Sequence, residues 1–144
     1  MSPLRYSRDA AIVIGLAGTA MPFATSRRAE AERWLRILRL YGESAQILQA
    51  LGIGEGPIES SPEHVPNEDR TTRRELGDRV VQEVADHAVR LATMRGTPML
   101  GTLDILFAVL AIYGSDFDRA LYVRGSSRDE LLGALAESYS HVRS

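Results

Sequence analysis

Ala10, Val13, Ile14, Ala17, Ala20 and Met21 recur three and four positions apart, which is one face of a helix opening at Ser7 and Asp9. Pro22 breaks that run, and a Ser26-led polar stretch leads into a second helix. There Glu30 and Glu32 lie early, Trp34, Leu35, Ile37, Leu38 and Tyr41 supply the apolar face, and Gly42 ends it. Ala45, Leu48 and Leu51 mark a short third helix stopped by Gly52. Residues 52–70 carry three Gly, three Pro and five acidic residues without periodicity, a linker pattern.

Helical periodicity then returns. A threonine start precedes a stripe of Leu76, Val80, Val84, Ala88, Leu91 and Ala92, with Gly96 and Pro98 as its stop. GTLDILFAVLAIYG follows, with Thr102 as N-cap and Asp104 in the first turn, where a carboxylate suits the helix dipole. Ser115 or Asp116 opens a further short helix closed by Gly125. Ser127, with Glu130 three residues on, forms a capping box for the last helix. No stretch of useful length alternates apolar and polar residues, so the pattern predicts an all-α fold.

The two halves share one grammar: an apolar helix ending in Tyr-Gly, then a short helix ending in Leu-x-x-x-Gly. Tyr41-Gly42 matches Tyr113-Gly114, and Leu48 to Gly52 matches Leu121 to Gly125. The expected architecture is a single domain over residues 1–144, with a first repeat at 3–53, a flexible linker at 54–70 and a second repeat at 71–140. It comprises about eight helices in two four-helix repeats related by a pseudo-twofold, each half covering the other's apolar face.

Composition narrows the chemistry. The 144 residues carry 17 basic and 19 acidic side chains, so no global basic field favours nucleic acid or an anionic membrane. All 17 basic residues are arginine. Without lysine there is no P-loop ATPase and no Schiff-base chemistry. The chain has no cysteine, which removes thiol catalysis, disulfides and Cys-ligated metals and leaves the redox compartment undetermined. An arginine-favouring, GC-rich genome accounts for the missing lysines. A sharper reading is a protein that works beside a proteolytic machine and avoids lysine-directed tagging. The apolar run at 10–24 follows Arg5 and Arg8 as an export signal's would. Asp9 at its mouth and its helical spacing favour a retained, buried first helix, hence a cytoplasmic protein.

Few residues offer chemistry. Glu83 and His87 share a helical face but have no third ligand nearby, so no metal or other cofactor is expected. The carboxylate pairs Glu30/Glu32 and Asp116/Asp118 point to different sides of a helix, unsuited to acid–base catalysis. GIGEG at 52–56 lacks the strand and helix that flank a phosphate loop. The stripe Arg33, Arg36 and Arg39 and the cluster Arg70, Arg73 and Arg74 read as solvated faces or contacts for an acidic partner. Trp34 and Tyr41 read as core.

The order of these motifs resembles the N-terminal domain of Clp unfoldases such as ClpC and ClpA, a double Clp R-type repeat. RYSRDAAIVIGLAGTA is similar to that family's opening helix, GTLDILFAVLAIYG to its Gly-Thr-Glu-His-aliphatic stretch, and GESAQILQALGI and GSDFDRALYVRGSSRDELLGAL to its repeat endings. The similarity runs from about residue 3 to residue 136, and the ATPase modules that follow in those unfoldases are absent from this sequence. Leu103 stands where the family has a glutamate, and the first repeat lacks the Gly-Thr. By resemblance, Glu30 and Glu32 are candidate guanidinium-binding carboxylates. The aromatics of the family's peptide groove are replaced by Pro3 and Leu76.

The resemblance implies a non-enzymatic recognition module that binds substrate segments, an adaptor, a Clp ATPase or Clp-directed cyclic peptides and so modulates proteolysis. It would act by mass action, as a monomer or weak homodimer. Pro3, Arg5, Tyr6, Leu76 and Arg79 are the candidate peptide-binding residues, because apolar and arginine side chains in one groove suit peptide contact. The alternative is a helical DNA-binding regulator, which needs a polar recognition helix. GTLDILFAVLAIYG is too apolar for that.

Overall fold

Ser7 sets the first helix in place. Its backbone is extended and its hydroxyl accepts the Ala10 N–H at 3.1 Å, so α1 runs Arg8–Ala20 with Ala10, Val13 and Ala17 inward. Pro22 turns the chain through a 3₁₀ turn at Met21–Phe23. Ser26 then caps α2 (Arg27–Leu38) through the Ala29 N–H, and α3 (Gly42–Ala50) follows after a tight corner. The second half holds α4 (Arg70–Arg95), α5 (Thr102–Tyr113), α6 (Ser115–Val123) and α7 (Arg128–Arg143). The computed structural model describes residues 4–24, 26–53 and 70–143, with side chains for those of 4–24, 26–53 and 75–137.

The all-α expectation holds. Seven α-helices and one 3₁₀ turn stand among the described residues, where about eight helices were expected. One feature is absent from the sequence pattern: Arg5–Tyr6 (β1) and Met99–Leu100 (β2) pair in parallel, Arg5 beside Met99 and Tyr6 beside Leu100. Two residues per strand are too few to show alternation. The linker read at 54–70 lies outside the described residues except for Arg70, which is already helical, so Thr71 and Thr72 fall inside α4 and do not cap it.

Helix α5 is the centre of the core. Nine of its twelve residues are buried, so it is apolar nearly all round, and α1, α2, α3, α4 and α6 all pack on it. Trp34 from α2, Phe117 from α6 and Leu131 and Leu135 from α7 are fully buried around it. A helix so enclosed cannot enter a DNA groove.

Two local expectations change. Helix α4 buries Gly77, Val81, Val84, Ala85, Ala88 and Ala92, and leaves Leu76 exposed. A Cβ at Gly77 would stand 2.7 Å from the Pro22 ring, so glycine is what lets α4 lie against the 3₁₀ turn. That close approach rotates the helix so that Leu76 leaves the inward stripe. Thr102 does not cap its own helix. Gly101 is the N-cap of α5, its N–H donates to Asp104 Oδ2 at 2.9 Å, and the Thr102 hydroxyl faces α3.

Candidate recognition face

The β1–β2 pair fixes the N-terminal segment against the second half of the chain. Arg5 N–H donates to the Pro98 carbonyl at 3.1 Å and Ser7 N–H to the Leu100 carbonyl at 2.8 Å. Leu100 is fully buried, whereas its neighbour Met99 is exposed, as are Arg5 and Tyr6. On α4, which packs on α1 and β2, the exposed residues Leu76, Arg79, Glu83, Asp86 and Arg90 recur three and four residues apart. Burial raises the pKa of the Tyr6 phenol above its ordinary value, and the Asp86 carboxylate raises it further.

The candidate peptide-binding residues among those described are all exposed. Arg5 and Tyr6 sit at β1, while Leu76 and Arg79 sit on α4, both exposed. Leu76 lies ten residues before Asp86, about 15 Å along the helix axis. Pro3 lies outside the described residues.

Glu30 and Glu32 are not open to a foreign guanidinium, because this chain supplies their partners. Glu30 Oε1 accepts the Tyr113 hydroxyl at 2.8 Å and stands 3.9 Å from Arg27. Tyr113 in turn accepts the Trp34 indole N–H at 3.1 Å, and the Arg27 guanidinium lies 4.5 Å above its ring. Burial raises the Tyr113 pKa, and the bond to Glu30 adds to this. Glu32 pairs with Arg124 at 3.5 Å, on a side chain only 2% exposed. Neither partner is a sequence neighbour, since both come from the far half of the chain.

Other arginines are engaged in the same internal way. Arg39 donates to the Ile53 carbonyl at 2.8 Å, Arg33 to Phe23 at 3.4 Å, Arg27 to Ile112 at 3.1 Å and Arg124 to Ala120 at 3.0 Å. Each acceptor lies at or just beyond a helical C-terminus, where carbonyls lack intrahelical partners. Arginine's five donors on a rigid fork suit that task. The Arg33 and Arg39 stripe thus serves the fold.

Two depressions are lined by described residues. One, of about 300 Å³, lies among the starts of α1, α3 and α5; Asp9, Glu43 and Thr97 line it, with Arg95 and Asp104 paired at 2.6 Å in its wall. A broader, open one of about 760 Å³ lies between α6 and α7, beside the exposed Tyr122 and Val123. Among the described residues no three His, Asp or Glu side chains are grouped to hold a metal ion. No helix of the described residues is long and apolar enough to cross a membrane. Comparison with known proteins returns nothing: no protein-family description, no curated protein and no solved structure matches this chain.

Proposed function

We propose that this protein is a non-enzymatic recognition module that holds an extended segment of a polypeptide. The observation that supports this reading is that Arg5 and Tyr6 on β1 and Leu76 and Arg79 on α4, apolar and guanidinium groups alike, are all exposed. The residues that resemble Clp-type N-terminal domains supply the setting: a Clp ATPase, its adaptor or substrate, or a Clp-directed cyclic peptide as partner, in the cytoplasm. The paired architecture of that family finds support in the turns. Gly42 and Gly52 follow α2 and α3 as Gly114 and Gly125 follow α5 and α6, and all four have positive φ.

Fluorescence anisotropy with a panel of labelled, unstructured peptides and with a purified Clp ATPase tests the reading. Saturable binding that falls at least tenfold in Tyr6→Ala and in Leu76→Asp supports it. Absence of binding to every peptide and to the ATPase overturns it.

A further inference from the structure

Parallel pairing uses only one edge of each strand, and the other edge must be satisfied elsewhere or left open. On β2 the outward groups belong to Met99. The Thr97 hydroxyl closes them, accepting the Met99 N–H at 3.3 Å and donating to the Met99 carbonyl at 3.0 Å. On β1 the inward N–H groups are those of Arg5 and Ser7, so the outward ones belong to Leu4 and Tyr6. No described residue pairs with the Leu4 or Tyr6 backbone N–H. One edge is sealed by a side chain, and the opposite edge has no backbone partner among the described residues.

Two arginines, Arg5 and Arg8, stand at this edge, against the one carboxylate, Asp86, whose influence reaches Tyr6. Arg5 and Arg8 are both exposed and neither forms an ion pair with a described residue. The N-terminus of α1 adds its positive dipole end. Asp9, the adjacent carboxylate, is turned the other way, with its Cβ against Gly42 and its side chain lining the cleft between the helix starts. Two copies of this chain pairing edge to edge would set Arg5 and Arg8 against their equals, which charged edge strands prevent. A segment carrying carboxylates meets no such barrier.

We propose that an extended acidic peptide binds as a third strand on the outer edge of β1, exchanging backbone hydrogen bonds with Leu4 and Tyr6 while its carboxylates meet Arg5 and Arg8. This rests on the recognition reading above and names the ligand's conformation and charge. Main-chain bonds of this kind give affinity with little demand on sequence, and the two arginines add the preference for acid.

The test uses a soluble heptapeptide of alternating valine and glutamate, the same peptide N-methylated at single backbone nitrogens, and a valine–lysine counterpart. Isothermal titration against the full chain should show the glutamate peptide binding at least tenfold tighter than the lysine peptide. N-methylation at alternate positions should weaken it at least tenfold. Tyr6→Pro removes the outward N–H and leaves the bonds to β2, so it should bind at least fivefold more weakly than Tyr6→Ala, with both folded by circular dichroism. Arg5→Glu with Arg8→Glu should reverse the preference towards lysine. Binding indifferent to N-methylation, or equal in Tyr6→Pro and Tyr6→Ala, overturns strand addition while the recognition reading stands. Binding by neither this panel nor the unstructured peptides overturns both.

Discussion

The two helix–glycine–helix corners follow one sequence pattern and are closed by opposite chemistry. At the first, Gly42 has φ +70°, and a Cβ there would lie 2.7 Å from Thr102 Oγ1 and 3.2 Å from Asp9 Cβ. Buried Ser44 donates to the Leu38 and Tyr41 carbonyls at 2.7 and 2.9 Å, and its N–H donates to the Thr102 hydroxyl at 3.1 Å. Thr102, the first residue of α5, therefore satisfies an orphan N–H at the start of α3. At the second corner Gly114 has φ +52° and nothing near its Cβ position. There Arg128 reaches back from α7 to the Leu110 and Gly114 carbonyls at 3.1 and 3.2 Å, and bonds Asp118 at 2.6 Å, partly exposed to solvent. One corner is locked from inside by neutral hydroxyls, the other from outside by an ion pair. Burial decides which matters more to stability, because an unmade buried hydrogen bond cannot be replaced by water.

The largest contrast should come from the glycines. Gly42→Ala combines backbone strain with a clash into Thr102 and should cost about 3 kcal/mol in denaturant unfolding. Gly114→Ala carries the strain alone, about 2 kcal/mol. Equal costs would show that the close approach of α5 to the first corner is not constraining. Thr102→Val keeps the shape but leaves the Ser44 N–H buried without an acceptor, a loss of about 2 kcal/mol that should not vary with salt.

The tyrosines at the corners differ next. Tyr113→Phe takes the acceptor from Trp34 and the donor from Glu30, and should cost about 1–3 kcal/mol, whereas Tyr41→Phe should fall within about 0.5 kcal/mol of the parent. The sign of the pH effect follows from the raised Tyr113 pKa. The fold holds that proton, while the unfolded chain releases it at roughly pH 10, so stability declines as pH rises beyond that point. Tyr113→Phe should flatten most of the decline; an unchanged slope would remove the Tyr113–Glu30 bond from the account. Arg128→Ala is the smallest, about 1 kcal/mol at low salt, diminishing in 1 M salt as an exposed pair should.

What could be read in the sequence was local. The Ser7 and Ser127 caps act on N–H groups three residues ahead, within the same short segment, and each is in place. The glycine stops at 52, 96, 114 and 125 all have positive φ, a demand set by the turn itself, whereas Gly42, also at positive φ, opens α3 after α2 has already ended at Leu38. Failures came where a partner lies far along the chain. Thr102 carries the mark of an N-cap, yet it serves Ser44 58 residues away. Glu30 and Glu32 looked available until Tyr113 and Arg124 arrived from the other half. Gly77 held the one overlooked signal: a glycine inside a long helix often marks close packing, here against Pro22. The proposed recognition strip was legible only as residue types. Its outline depends on the pairing of β1 with β2, which two-residue strands cannot announce.

Amide hydrogen exchange across the whole chain, with and without saturating valine–glutamate peptide, tests the central claim of a recognition strip at β1 and α4 most directly. Protection confined to Leu4–Arg8 and the exposed stripe of α4 is the predicted result. Protection centred on Tyr122 and Val123 between α6 and α7, with none at Leu4 or Tyr6, would contradict it.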